Sequence, residues 1–187
     1  IGRAGSSMVA IEPKPDGAGI EVHVRPGTKD EIIHIPVIVS QSGLEDAVLN
    51  DFFIGDHANV TIIAGCGIHN DGGDRTQHNG IHTFHIGKYA KVVYEEKHYG
   101  AGEGTGDKVL NPVTNVYLDE GSYMEMDTVQ IEGVDSTKRV TRATVGKDAA
   151  IIVREKLMTH GVQQAETEFS VDLTGEISSA NIISRSV

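Results

Sequence analysis

An all-β chain wound into a solenoid is what this sequence predicts, and three observations carry the prediction. A phrase of apolar residue, glycine, two further residues and alanine recurs, its recurrences are nearly evenly spaced, and alternating apolar and polar residues follow each one. The clear copies are Ile54-Gly55-Asp56-His57-Ala58, Ile86-Gly87-Lys88-Tyr89-Ala90 and Val145-Gly146-Lys147-Asp148-Ala149. Looser copies start at Leu118 and at Leu173, the last with an extra residue before its alanine. From Ile54 to Ile86, Leu118, Val145 and Leu173 the steps are 32, 32, 27 and 28 residues. Self-similarity at that period marks a stack of coils, none of which buries its apolar face without its neighbours.

Taken in order, the first 50 residues carry no copy of the phrase, and a single short helix is expected from Gly43 to Asn50. After each phrase the texture is that of a strand. Val60, Ile62 and Ala64 share a face, as do Val92 and Tyr94, or Ile151 and Val153, with polar residues between them. The glycine of the phrase is expected to supply a turn conformation costly for other residues, and the alanine to fit a tight corner. Glu166, Glu168, Ser170 and Asp172 alternate with Thr167, Phe169, Val171 and Leu173, which reads as the solvated face of one strand, and Glu95-Glu96 reads the same way. The glycine-rich run from Gly100 to Gly106 lacks the Lys-Ser/Thr that closes a phosphate-binding loop and is expected to be a flexible loop.

Composition narrows the function classes. The chain has 187 residues, with 16 Lys and Arg against 27 Asp and Glu, a formal charge of −11. That sign argues against a nucleic acid or an anionic membrane as partner, since phosphate recognition needs a dense basic surface. Hydrophobic residues make up 39%, which suits one domain over 1–187. No apolar run approaches the roughly 18 residues of a membrane span, and nothing has the layout of a secretory signal. One cysteine, Cys66, forms no internal disulfide, so the expected compartment is the cytoplasm. The sequence opens at Ile1 without an initiator Met and stops at Val187, so further residues are expected on either side.

Five of the nine histidines, His69, His78, His82, His85 and His98, follow Cys66 within one stretch. Thiolate and imidazole are ligands of zinc, iron and copper, and Cys66-x2-His69 has chelating separation. Alternation places His82, Phe84 and Ile86 on one face and Ile81, Thr83 and His85 on the other, with His78 sharing the parity of His82. Cys66, His69, His78 and His82 are therefore the candidate metal ligands. The plainer reading makes each histidine an ordinary hydrogen-bonding strand residue and Cys66 a small buried apolar side chain.

Several runs together resemble the core domain of the SufB/SufD family, most of all its shorter archaeal or clostridial-type members. They are Cys66-Gly67-Ile68-His69, Gln77-His78-Asn79-Gly80-Ile81-His82, the coil from Ile86 to Val92, the turn Asn111-Pro112-Val113-Thr114, and the closing run from Ser178 to Ser186. The resemblance covers residues 50 to 187 well and the first 50 loosely. It implies a right-handed parallel β-helix and a part in assembling iron–sulfur clusters, with the transient cluster possessing ligands from more than one subunit. It implies a scaffold with no enzymatic activity of its own, a SufC-type ABC ATPase as partner, and a homodimer or a SufB/SufD-like paralogue beside it. ATP turnover in the partner would rearrange the pair and expose the cluster-building site. Cys66 matches a family cysteine implicated in sulfur reception, and His82 matches a Leu-His element in the following strand; with His69, whose positive charge would lower the Cys66 pKa, these are the residues expected to face the cluster. Gly67-Ile68-His69 stands where longer members have an Ala-Pro turn. His160 lies near a His-Gln-Asp element without matching it and takes no role.

Two other classes compete. A cupin-like mononuclear metal enzyme on a β-barrel would use Cys66, His69, His82 and His85, with Glu95 downstream, although ligands facing one way along a strand should be two residues apart. A β-helix enzyme acting on carbohydrate would need an aromatic-lined cleft, and the chain has no Trp and 5% aromatic residues.

Overall fold

Branched apolar residues alternating with polar ones make a strand with one dry face, and a chain of such segments must bring its dry faces together. In the computed structural model, which describes residues 5–187, fourteen strands follow one another with no helix among the described residues. β1 (Val9–Pro13) folds back antiparallel on β2 (Ile20–Val24) and occupies what would be an open sheet edge. Every later pairing is parallel. One sheet grows through β2, β4 (Glu45–Ile54), β6 (Thr76–Ile86), β8 (Lys108–Leu110) with β9 (Val113–Leu118), β11 (Ser136–Val145) and β13 (Gln164–Leu173). The other takes β3 (Lys29–Val39), β5 (Asn59–His69), β7 (Lys91–Ala101), β10 (Tyr123–Gln130), β12 (Ala150–Leu157) and β14 (Ser179–Ser186). Each coil gives one station to each sheet, and six coils stack into a parallel β-helix.

The repeat is the register. Ile54, Ile86, Leu118, Val145 and Leu173 are successive ladder partners across the stack. β8 and β9 are one station divided at Asn111-Pro112, where proline offers no N–H to the ladder, and Val113 and Thr114 already belong to the strand.

The corners differ from expectation in one respect. The left-handed backbone falls two residues beyond the repeated glycine, at His57, Tyr89 and Asp148, with φ of 59°, 57° and 55°. The glycine serves close approach instead: a Cβ on Gly87 would lie 2.5 Å from Asp56 Oδ1 and 2.8 Å from the Ile54 carbonyl oxygen of the coil beneath. Ala58, Ala90 and Ala149 are buried, as a tight corner requires.

Two segments correct the sequence reading. The expected helix at Gly43 to Asn50 is the turn and first half of β4. Its Leu, Glu and Ala favour a helix weakly, and pairing with β6 from Glu45 with Gln77 to Ile54 with Ile86 overrides that preference. The glycine-rich run begins inside β7, to which Gly100 and Ala101 belong, and its loop from Gly102 to Gly106 is tied to the coil below, where Gly104 N–H donates to Asn70 O (3.0 Å) and Gly106 N–H to Gly72 O (3.1 Å).

Inside, a large apolar cluster fills the half nearest the repeated corner, with Phe52 stacked on Phe84 at 4.4 Å beside Ile62, Tyr94, Met124, Met126 and Ile151. A smaller one, Val39, Cys66, Ile68, Leu110 and Val134, lies at the other side. No helix among the described residues is long and apolar enough to cross a membrane. Gly87→Ala should cost about 1–3 kcal/mol through overpacking against the coil beneath. The measurement is urea unfolding, with a lower midpoint and an unchanged slope.

Candidate functional site

Alternate residues share a face, so β7 sends Val92, Tyr94, Glu96 and His98 into the interior and Glu95, Lys97 and Tyr99 outward. The ladder sets Ile62, Ala64 and Cys66 of β5 beside Tyr94, Glu96 and His98. One coil on, β10 supplies Met126, Thr128 and Gln130, and β12 then supplies Val153, Glu155 and Leu157. The opposite sheet contributes Asn50, His78, His82 and Arg139, all buried. A belt of polar side chains thus crosses the interior between the two apolar clusters.

Hydrogen bonds in the belt have a fixed sense. Asn50 Oδ1 accepts the Ile20 N–H (3.1 Å), and its amide nitrogen donates to His82 Nε2 (3.3 Å). His82 Nδ1 then donates to the Tyr94 hydroxyl (2.8 Å), because that hydroxyl spends its own proton on Glu96 Oε1 (2.8 Å). Arg139 closes the far side. Its Nη1 donates to His98 Nδ1, its Nε to Glu155 Oε2 (2.9 Å), and its Nη2 stands 3.5 Å from Glu96 Oε2. Since arginine only donates, His98 carries its proton on Nε2, which lies 3.3 Å from Glu96 Oε1. Glu155 is further satisfied by Thr167 Oγ1 (3.1 Å) and Ser184 Oγ (2.9 Å).

Burial sets the protonation states. It is the largest influence on Cys66, and with the Glu96 charge it pushes the thiol far above the usual cysteine range, against a smaller opposing pull from Arg139. Burial is likewise the largest influence on His82 and His98 and lowers both, against the raising pull of Glu96. For Glu96 burial acts to raise the pKa, yet His98, His82 and Arg139 together outweigh it and hold the carboxyl well below the usual range. The belt thus gathers one thiol and two imidazoles around the Glu96 and Glu155 carboxyl groups and the Arg139 guanidinium. Cys66 Sγ, a Glu96 oxygen and a His98 nitrogen lie within 4.8 Å of one another, a sulfur, oxygen and nitrogen set suited to a borderline metal.

Of the candidate ligands, Cys66 and His82 lie inside the belt. His78 is also buried, but its Nδ1 is engaged by Asp46 Oδ2 at 2.9 Å. His69 is not brought to Cys66: three residues apart on a strand point opposite ways, and His69 sits outside, bonded to Asp71 (2.8 Å). His85 also faces out, in a ring ladder with Phe53 (5.0 Å) and Tyr117 (5.3 Å). With His82 and His85 on opposite faces of a solenoid strand, the cupin-type chelate has no geometry here. His160 is exposed at the turn before β13.

Sequence reasoning missed Glu96, Arg139 and Glu155 and gave His98 no role. Reading Glu95-Glu96 as one solvated pair overlooked that neighbours in a strand face opposite ways. A usable signal was present, since the 32-residue step that relates Ile54 to Ile86 carries Cys66 to His98.

No protein-family model matches the chain, and no curated protein does.

Removing the guanidinium strands two buried carboxylates, so Arg139→Ala should lose about 3–5 kcal/mol in urea unfolding, and adding Glu155→Gln should recover part of it. Cys66 should resist alkylation by iodoacetamide at neutral pH in the folded chain and react fully in denaturant, as mass spectrometry will read, because the buried thiol presents almost no thiolate.

Proposed function

We propose that this chain is a scaffold on which iron–sulfur clusters are assembled, a protein of the SufB/SufD kind that works in the cytoplasm with a SufC-type ABC ATPase. It pairs with a second copy of itself or with a paralogous β-helix. The observation that carries this reading is the placement of the only cysteine: inside a parallel β-helix, 3% exposed, against a carboxylate and an imidazole. Thiolate is the group that accepts sulfane sulfur and binds iron, and Cys66 also stands where the resemblance puts a sulfur-receiving cysteine. The cluster is cargo. A cluster fixed in place usually takes four protein ligands, and one cysteine per chain leaves it under-ligated and ready to leave. That suits a donor and not an electron carrier.

The closed state of the site fits the same reading. A protonated thiol behind two sheets is inert until they part, so the energy for opening has to come from elsewhere, and ATP turnover in a partner supplies it. The chain then contributes position and donors, and the partner the chemistry of ATP.

Anaerobic affinity purification of the protein from its own cells tests this, with mass spectrometry of what accompanies it. An ABC-type ATPase in stoichiometric amount is expected, and Cys66→Ser is expected to keep the ATPase while losing the iron and sulfide that the wild-type complex binds on reconstitution. Absence of any ATPase, or full iron and sulfide on the Cys66→Ser complex, overturns the reading.

A further inference from the structure

Independently of cluster assembly, we infer that the interior of the solenoid is a binding site for one divalent transition-metal ion, held by Cys66 Sγ, the Glu96 carboxylate and His98 Nε2. The three donors converge because Cys66 and His98 are ladder partners and Glu96 precedes His98 by two residues on the same inward face. They already lie within 4.8 Å of one another. Donors at bond lengths of about 2.0–2.3 Å from a tetrahedral ion sit roughly 3.3–3.8 Å apart, so the side chains need close by only about an ångström.

Two further observations ask for a cation there. Glu96 Oε2 and Gln130 Oε1 are buried oxygens that accept no hydrogen bond, and Gln130 is the inward ladder partner of His98 in the next coil. Both are acceptors, so the belt is short of positive charge or donors and not of lone pairs. A single guanidinium is shared between the two buried carboxyl groups, with Arg139 Nη2 3.5 Å from Glu96 Oε2 and Arg139 Nε 2.9 Å from Glu155 Oε2, so Glu96 Oε2 has no close donor of its own.

The protons balance. Cys66 gives up its proton to solvent when its sulfur binds. His98 keeps its proton but carries it on Nδ1 once Nε2 binds, which releases the hydrogen bond from Arg139 Nη1, while Arg139 stays on Glu155 through Nε. Gln130 Oε1 or a water completes the shell. Sulfur and imidazole beside a single carboxylate select the zinc, ferrous and cobaltous class over magnesium or calcium.

Cobalt is the probe. The full chain, purified anaerobically from cells grown in cobalt-supplemented medium, should carry one Co²⁺ per chain with a thiolate-to-cobalt charge-transfer band in the near ultraviolet. Cys66→Ser should lose the band. Glu96→Gln and His98→Gln should each weaken Co²⁺ by more than about 10-fold in competition with a chelator, since even outer-shell changes cost that much. His69→Ala, on the surface, should change nothing. Should the variants fold poorly, the wild type decides alone, through a melting temperature that rises with Co²⁺ and a band that disappears when a chelator strips the cobalt from the folded chain and returns when cobalt is restored. A folded wild type without the band, or a band that survives in Cys66→Ser or is indifferent to both Glu96→Gln and His98→Gln, overturns the inference. A cobalt band in a protein that purifies without an ATPase leaves this site standing and removes only the scaffold reading.

Discussion

Parallel stacking in register is the constraint from which the rest of this molecule follows. Once Ile54 is bonded beside Ile86 and Ile86 beside Leu118, every position on a strand inherits its neighbours from the coils above and below, and every second position is driven inward. Nothing else has to bring Cys66 to His98, or Ala64 to Glu96, because the ladder does it. The polar belt is a by-product of the same rule, since polar residues placed at equivalent heights in successive coils end up in one layer.

That layer is expensive and is organised accordingly. Two carboxylates and a guanidinium lie in the dry interior between two apolar clusters, where a charge without a partner is strongly destabilising. Glu155 has donors on both oxygens, and His82, Tyr94 and Glu96 form a chain with one sense of donation. Satisfaction stops at Glu96 Oε2 and Gln130 Oε1, the place where the thiol and His98 also converge. Hydrophobic residues of similar volume would hold the coils together at least as well, so the polarity is better understood as belonging to a site than to stability.

How much of this was legible in the sequence depends on whether a feature repeats. The phrase around Ile54, Ile86 and Val145 repeats, and from it came the coil, its period and the inward faces. That His82 and His85 face opposite ways followed from alternation alone, and the packing of β6 decides that His82 is the inward one. The corner chemistry was legible only in part: glycine announced a tight place, but whether for backbone angle or for clearance depends on the coil beneath, which Gly87 meets at Asp56. The belt resisted because its members come from β4, β5, β6, β7, β10, β11 and β12 and share no local pattern. Local reasoning paired Cys66 with His69, the nearest histidine in sequence, whereas the partner in space is one full coil away. The segment 43–50 failed for the opposite reason, a helical composition inside a strand whose identity is fixed by its partners.

The ladder also makes the molecule mechanically uneven. Lengthwise, β5 is tied to β7 by a run of bonded pairs from Asn59 with Lys91 to His69 with Ala101, and parting two coils means shearing all of them together. Across the stack, the two sheets meet through side chains, with the corner turns as hinges. The motion that leaves the backbone ladders whole is therefore a widening of the gap between the sheets, limited on one edge by the repeated corners and on the other by the turns at 70–75 and 102–107. Such a motion would loosen the belt along several coils at once, and on reversal would return each side chain to the same rung.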